Sequence, residues 1–172
     1  MNPILKTLIN CLSTQGHAQY DGEAVSQLEH ALQCATLAET ARQSREIILA
    51  CLFHDLGHLY PERSTPEGDR HEYCALPVLR SLFPPAITEP IRLHVEAKRY
   101  LCAVDPKYLS QLSPASQQSL IIQGGVFSPK DAQAFVAQPY ALDSIKLRCW
   151  DEQAKVEGLV TPDLDYFVRK YL

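Results

Sequence analysis

The sequence predicts an all-α fold. Apolar residues recur at spacings of three and four along most of the chain, as they do on one face of a helix. No stretch shows the strict alternation of apolar and polar residues that marks a half-buried strand. Serines, two of them followed by proline, precede several of the apolar segments, and such residues often begin helices.

The first predicted helix spans residues 3 to 13, and the second begins at Ser26. A polar loop with two glycines, residues 13 to 23, separates them. Ser26 and Glu29 have the spacing of a capping box, in which each side chain bonds to the backbone N–H of the other residue. This pattern indicates where the second helix begins.

The central predicted helix follows a cap at Ser44. It is apolar on every side over residues 47 to 53, which is typical of a helix in the middle of a domain. The composition of residues 60 to 69 predicts a loop, and a further helix is expected from His71 to about residue 82.

The C-terminal half predicts five more helices. One carries an apolar stripe over residues 87 to 101, which a histidine and a lysine interrupt. Two begin at the Ser-Pro pairs 113–114 and 128–129. A longer helix covers residues 140 to 157, and the apolar spacing of residues 164 to 171 marks a closing helix.

Composition limits the classes of protein to consider. A chain of 172 residues fits one domain, residues 1–172, that buries roughly two thirds of its unfolded surface. The net charge of −4 argues against a nucleic acid or an anionic membrane as partner, so we expect neither. The six cysteines form no C-x-x-C pair, and no apolar run approaches membrane-spanning length. We therefore expect reduced thiols and a cytoplasmic protein.

The end of the central helix carries three ionisable residues, His54, Asp55 and His58. A carboxylate this deep is costly unless it is paired or holds a metal. A buried His–Asp hydrogen-bonded pair would explain these residues by themselves. The metal interpretation gains weight from four further ligand-type residues at domain-scale spacings, namely His30, His71, His94 and Asp151.

Four imidazoles and two carboxylates suit a pair of first-row transition metals. Calcium and magnesium prefer oxygen donors, and a structural zinc is satisfied by four ligands. In the natural arrangement Asp55 bridges the two ions. One ion takes His30, His54 and Asp151, and the other takes His71 and His94.

Some of these assignments have ordinary alternatives. His71 taken alone fits a solvent-exposed helix start. Asp143 and Glu152 lie in the same predicted helix as Asp151, and the residues themselves favour none of the three strongly. The set of six is more specific than any one of its members.

The pattern His30…His54-Asp55…Asp151 resembles the HD superfamily, which is named for its His-Asp pair. The two additional histidines are similar to those of its two-metal branch, which contains phosphodiesterases and mixed-valent di-iron oxygenases. Over nearly its whole length the chain resembles the PhnZ-type hydroxyphosphonate oxygenases. The resemblance implies an HD-domain helical bundle around a dinuclear metal site.

The segment from Tyr20 to Cys34 resembles the N-terminal signature of that group. The resemblance implies that Tyr20 occupies one iron until substrate arrives and that Glu23 holds it there. His58 matches a further polar residue of the pocket. The loop between Asp55 and His71 is several residues shorter than in the proteins that the chain resembles. This departure bears on the position of His71 and on the shape of the pocket wall.

The resemblance also implies a phosphonate site. Lys98 and Arg148 match phosphonate-binding cations, and both offer charge-assisted hydrogen bonds. Ser116 and Ser119 match two hydroxyl residues in the first turns of a helix, where free N–H groups favour an anion. Ordinary alternatives are a lysine that reaches solvent, an Arg148–Glu152 surface pair and capping serines.

The implied reaction is oxidative cleavage of a carbon–phosphorus bond, in which 2-amino-1-hydroxyethylphosphonate gives glycine and phosphate. It implies two iron ions, Fe(II)/Fe(III), with O2 as co-substrate, and a neighbouring hydroxylase that makes the substrate. The alternative is a metal-dependent HD phosphohydrolase acting on a nucleotide or phosphate ester. His58 counts against it, because many metal-dependent diesterases of the superfamily carry lysine there. The residues do not choose between an amine and a trimethylammonium substituent.

Overall fold

The fold is built from α-helices of 4 to 20 residues that pack around the central helix of the chain. The computed structural model describes residues 2–20, 22–60 and 70–172, together with the backbone of 64–65 and 68–69. In the first part of the chain the α-helices are α1 Pro3–Gln15, α2 Gln27–Thr40, α3 Arg45–Phe53, α4 His71–Cys74, α5 Leu76–Leu82 and α6 Pro85–Val104. A 3-10 helix, Leu56–Leu59, follows α3.

The second part of the chain is also helical. Its α-helices are α7 Pro106–Gln111, α8 Pro114–Ile122, α9 Pro129–Val136, α10 Ala141–Gln153 and α11 Leu164–Tyr171. The strands of the described residues are β1 Ser64–Thr65 and β2 Gly68–Asp69, a two-residue antiparallel ladder with Ser64 opposite Asp69. The prediction of an all-α fold is confirmed, and the ladder lies in the segment expected to be a loop.

Local chemistry explains where several helices begin. The capping box at the start of α2 is present, since Ser26 Oγ accepts from Glu29 N–H and Glu29 Oε2 accepts from Ser26 N–H. Ser113 and Ser128 cap α8 and α9 as expected from their Ser-Pro pairs. Asp105 caps α7, a helix that the apolar spacing did not predict.

Two predicted helices differ in extent from the observed ones. The single helix expected from residue 71 to 82 is divided at Ala75 into α4 and α5. The division follows from Pro77, which has no N–H to donate to the carbonyl of Tyr73. The helix expected over residues 140 to 157 is shorter and ends at Gln153.

The central helix α3 is buried along its length, from Ile47 to Phe53. It packs against α2, α6 and α10, and the largest apolar cluster of the protein surrounds it. The chain leaves the α-helix at His54, three residues before the glycine at which the sequence suggested a stop. Asp55 and the residues after it therefore turn away from the helix axis.

Gly57 is required for a different reason. A Cβ atom at this position would lie 1.8 Å from the carbonyl oxygen of His71, which is far inside contact distance. The missing side chain lets the first residue of α4 approach the 3-10 helix. No helix in the described ranges is both long and apolar enough to cross a membrane.

Replacing Leu49 by alanine tests the central position of α3. The side chain is fully buried, so Leu49→Ala should lower the free energy of unfolding by roughly 2–5 kcal/mol through lost burial and a residual cavity. Leu142→Ala is the matched control, because Leu142 is 64 % exposed and its loss should change stability by less than about 0.5 kcal/mol. Urea unfolding of both variants measures this, and equal losses would contradict the packing described.

Candidate metal centre

Six buried side chains from five helical segments meet at one place. They are His30 from α2, His54 and Asp55 at the end of α3, His71 at the start of α4, His94 from α6 and Asp151 from α10. Their potential ligand atoms form two groups that share Asp55, and within each group the atoms lie within 4.8 Å of one another. One group contains His30, His54, Asp55 and Asp151, and the other contains Asp55, His71 and His94.

The two oxygens of Asp55 face different groups. Oδ2 lies 3.5 Å from His30 Nε2 and 3.4 Å from His54 Nε2. Oδ1 lies 3.4 Å from His71 Nε2 and 3.4 Å from His94 Nε2. Neither oxygen has a well-formed hydrogen bond within the described part of the chain, although both are buried. A carboxylate in this position can bridge two cations.

Backbone carbonyls fix the protonation of the first histidine pair. His30 Nδ1 donates to the carbonyl of Ala154 at 2.8 Å, and His54 Nδ1 donates to that of Cys51 at 2.8 Å. A carbonyl only accepts, so Nδ1 of each ring carries a proton, and in the neutral ring the lone pair is on Nε2. The two Nε2 atoms face each other at 3.2 Å. A cation between them removes the repulsion of the lone pairs.

The second pair also brings two Nε2 atoms close together. His94 Nδ1 donates to the carbonyl of Ile91 at 2.6 Å, which leaves the Nε2 lone pair facing His71 Nε2 at 3.0 Å. Two donor atoms bound to one ion at about 2.1 Å lie roughly 3 Å apart. The spacing of these nitrogens matches that value.

Electrostatics also favour cations here. Burial by itself would lower the pKa of His54, but the neighbouring negative charges, Asp55 foremost, raise it to about 10. Burial by itself would raise the pKa of Asp151, but the Arg148 guanidinium and the adjacent histidines hold it well below its usual range. The two aspartates therefore remain charged, and mixed nitrogen and oxygen donors of this kind fit a pair of transition-metal ions.

The geometry distinguishes Asp151 from the two acids that the sequence left as alternatives. Asp151 Oδ1 lies 3.4 Å from His30 Nε2. Asp143 instead pairs with Lys146 at the partly exposed start of α10. The Glu152 carboxylate turns to Arg148, with its Oε2 2.5 Å from Arg148 Nη2. Asp151 is thus the acid of α10 that joins the cluster.

Two further predicted residues flank the metal groups. The ring of Tyr20 stacks on His30 with centroids 4.3 Å apart, and its edge meets His58 at 5.7 Å. His58 stacks in turn on His71 at 3.9 Å. Burial, followed by the charges of Asp55 and Asp151, raises the pKa of the Tyr20 hydroxyl well above its usual value. Tyr20 therefore covers the imidazoles in its neutral form.

A small cavity of about 90 Å³ adjoins the metal groups. Lys98 and Arg148, here named the cationic pair, line its wall, and both side chains are buried. Burial, and then the Arg148 charge, lower the pKa of Lys98 to about 8. The cavity is therefore lined by candidate metal ligands and by two basic side chains.

The cationic pair has donors that remain available. Lys98 Nζ donates to Ser119 Oγ at 2.6 Å, which uses one of its three N–H groups. Arg148 Nη1 lies 2.9 Å from Asp151 Oδ2 but has no well-aligned hydrogen bond among the described residues. A small anion in the cavity can accept from both side chains.

The two predicted serines are already engaged. Ser116 Oγ donates to Glu152 Oε2 at 2.9 Å and accepts from Lys155 Nζ at 2.8 Å and Arg148 Nη2 at 3.3 Å. A hydroxyl has one donor and two acceptor sites, so this one is saturated. Ser119 Oγ donates to the carbonyl of Ser116 at 3.1 Å. In this conformation the serines orient the cationic pair and have no proton left for an anion.

Glu23 lies beside this network. Its Oε1 accepts from Ser113 Oγ at 2.5 Å and lies 3.0 Å from Lys155 Nζ. Lys155 also lies 3.2 Å from Glu152 Oε2. The described contacts of the Glu23 carboxylate are thus with α8 and the end of α10, and they tie the segment that carries Tyr20 to both.

Comparison with known proteins identifies the family. The sequence pattern of the HD domain matches residues 28–116, more than half of the chain. The chain belongs to the HD domain family. Asp151 and Arg148 lie beyond the matched segment, and the folded structure places both beside the histidines and the cavity.

Three similar proteins match most of the length of this chain. It is 41% identical over 167 residues to a hydroxymethylphosphonate dioxygenase of Gimesia maris, which covers 94% of this chain and 83% of the relative. It is 40% identical over 158 residues to a glycine-betaine-forming [1-hydroxy-2-(trimethylamino)ethyl]phosphonate dioxygenase of Leisingera caerulea, with 89% and 81% covered. An uncharacterized protein of Acanthamoeba polyphaga mimivirus is 36% identical over 170 residues, with 95% and 78% covered.

These relatives confirm the predicted resemblance to the oxygenase branch of the superfamily, and with it the prediction of an oxygenase enzyme. Sequence reasoning missed Gln123 in the cavity lining and Lys155 as a binding partner of Glu23. It considered an Arg148–Glu152 pair only at the surface, whereas the observed pair is largely buried. A spacing of three and then four residues from Ser116 through Ser119 was the available signal for Gln123.

Asp55→Asn tests the bridging position. The neutral amide offers one oxygen and no charge, so the number of metal ions bound per chain should fall from two to one or fewer. Asp143→Asn is the matched control, because this residue pairs with Lys146 at the partly exposed start of α10 and should leave the metal content unchanged. Elemental analysis of the purified proteins gives the stoichiometry. Two ions bound to the Asp55 variant would contradict the arrangement.

Proposed function

We propose that this chain is a di-iron oxygenase that cleaves the carbon–phosphorus bond of a small 1-hydroxyphosphonate. One observation carries the proposal. The Asp55 carboxylate faces a different histidine group with each of its oxygens, and the cationic pair lines the same small cavity. Two relatives that cover most of the chain are named dioxygenases of hydroxyphosphonates, which supports the same reaction class.

The proposed substrate is 2-amino-1-hydroxyethylphosphonate, and the products are glycine and phosphate. The reaction balances with one O2 and no other reductant or oxidant. The bonds from the carbinol carbon to hydrogen and to phosphorus break, one oxygen ends in the glycine carboxylate, and one ends in the phosphate. A hydroxylation at the carbon next to phosphorus must supply such a substrate.

The proposed metal ligands are the six residues of the two groups. One ion would be held by His30, His54 and Asp151, the other by His71 and His94, with Asp55 between them. Iron is proposed because it changes valence and so supplies the redox chemistry with O2 that zinc lacks. The protein's part is to fix the ligands, orient the substrate and exclude water.

The cationic pair would hold the phosphonate. Lys98 and Arg148 line the cavity and keep unused N–H donors, and charge-assisted hydrogen bonds to an anion are roughly twice as strong as neutral ones. Glu152 fixes the other side of the Arg148 guanidinium through Nη2, so the fork is oriented before substrate arrives. We propose Ser116 and Ser119 as the residues that orient this pair.

Tyr20 and Glu23 would control access to the metal groups. Tyr20 covers the His30 imidazole, and substrate must displace it to reach the first ion. Glu23, held by Ser113 and Lys155, fixes the segment that carries Tyr20. His58 packs against both Tyr20 and His71 and so supports the ring that covers the site.

The proposal also covers the domain organisation of the chain and its cellular location. The described helices pack around one site, which supports a single HD domain over residues 1–172. All six cysteines are free thiols, which supports a reducing, cytoplasmic environment.

Turnover with defined metals tests the function. The iron-loaded, partly reduced protein should consume O2 and release equal amounts of glycine and phosphate from 2-amino-1-hydroxyethylphosphonate. The zinc-loaded protein is the control and should release neither. Phosphate release from simple phosphate esters without O2 uptake would instead identify a metal-dependent phosphohydrolase.

The lowered pKa of Lys98 predicts a pH dependence of substrate capture. Below about pH 8 the side chain is an ammonium that binds the phosphonate, and above this pH it becomes a neutral amine. The kcat/KM should therefore fall by up to tenfold per pH unit as the pH rises above about 8. Lys98→Arg stays charged throughout, so its profile from pH 6 to 10 should lack this decline. The same decline in both proteins would assign it to another group.

A further inference from the structure

Gln123 lines the cavity and has one polar atom without a partner. Its side-chain oxygen is buried and accepts no hydrogen bond among the described residues. An acceptor in this state is costly unless a ligand supplies a donor. A phosphonate only accepts hydrogen bonds, and Lys98 and Arg148 are its donors in the proposed function. The Gln123 oxygen is also an acceptor, so it would bind a donor group elsewhere on the substrate.

The position of Gln123 is well fixed. It caps the C-terminus of α8, four residues after Ser119 and seven after Ser116, and all three residues line the cavity. Its backbone N–H donates to the carbonyl of Ser119 at 2.9 Å. The turn after it contains Gly124, whose φ of 98° favours glycine, and Arg99 Nη2 donates to the carbonyl of that residue at 2.9 Å.

The one carboxylate of the cavity lining outside the metal groups is already neutralised. Among the described lining residues this is Glu23, and it pairs with Lys155 at 3.0 Å and accepts from Ser113. A substrate ammonium would have to compete with a lysine for it. The amide oxygen of Gln123 is the acceptor that remains.

A quaternary ammonium has little to bind in this lining. Such groups are recognised by cages of several aromatic rings. Apart from histidines, Tyr20 is the one aromatic residue among the described residues that line the cavity, and its face is stacked on His30. Methylation also removes the N–H groups that an amide oxygen needs.

We infer that Gln123 determines specificity for the substituent on the carbinol carbon, by accepting a hydrogen bond from a primary ammonium group. This inference rests on the proposed function and names the substrate class within it. The site selects the free amine over its trimethylated analogue, because a site with a buried hydrogen-bonding group rejects an analogue that leaves this group unpaired.

Three hydroxyphosphonates that share one head group test the inference: the amino compound, the trimethylammonio compound and hydroxymethylphosphonate, which has no substituent. The measured quantity is kcat/KM for each, from phosphate release. The natural protein should prefer the amino compound to the trimethylammonio compound by at least about 100-fold and to hydroxymethylphosphonate by at least about tenfold.

In Gln123→Leu the ratio of kcat/KM for the amino compound to that for hydroxymethylphosphonate should fall at least about tenfold. Gln118→Leu is the matched control, an exposed glutamine of the same helix, and should keep the natural ratio. Gln123→Glu retains acceptor oxygens and should keep the preference for the amine, which provides a second readout if the leucine variant does not fold.

A leucine variant whose ratio lies within twofold of the natural one would overturn the inference alone. A natural protein that prefers either of the other compounds would overturn the inference and the amino compound as substrate, and would leave the proposed di-iron cleavage of a 1-hydroxyphosphonate standing. A natural protein that cleaves none of the three compounds under O2 with iron bound would overturn the proposed function itself, and this inference with it.

Discussion

The structure depends on one buried carboxylate that faces two sets of imidazoles. Asp55 has both oxygens in the interior without well-formed hydrogen bonds in the described part of the chain, and a lone charge there would be very costly. Carbonyls hold the Nδ1 protons of at least three of the histidines, so in the neutral rings the Nε2 atoms that face Asp55 carry lone pairs and cannot donate to it. Cations between these groups satisfy the carboxylate and the nitrogen lone pairs together.

This requirement organises the helices. α3 must be buried to bring Asp55 to the centre, and it must end at His54 so that the carboxylate can turn between the groups. Gly57 then lets α4 approach closely enough for His71 to join. The apolar packing around α3 holds these segment ends in place without any flexible ligand-bearing loop among the described residues.

The wall of the cavity follows a second constraint, which is local charge balance. Glu152 and Glu23 neutralise part of the positive charge of Arg148 and Lys155, and the serines fill the remaining hydrogen-bonding positions of this network. The donors that stay unpaired belong to Lys98 and Arg148, which line the cavity. Such fixed donors need little rearrangement when an anion binds, which is the usual basis of preorganised recognition. The candidate metal ligands and the cationic pair are thus different residues around one small cavity.

The sequence by itself determined the helical class and the residues that could bind metal, because helical periodicity and ligand chemistry are local properties. It also marked Lys98 and Arg148 through their resemblance to a known family. Resemblance also favoured Asp151 over Asp143 and Glu152, and its contact with His30 agrees with that choice. Tertiary structure alone decided that the hydroxyl protons of both serines are already engaged, that Lys155 pairs with Glu23, and that Gln123 lines the cavity. These facts depend on distances between segments far apart in the chain, and periodicity carries no information about which distant side chains meet.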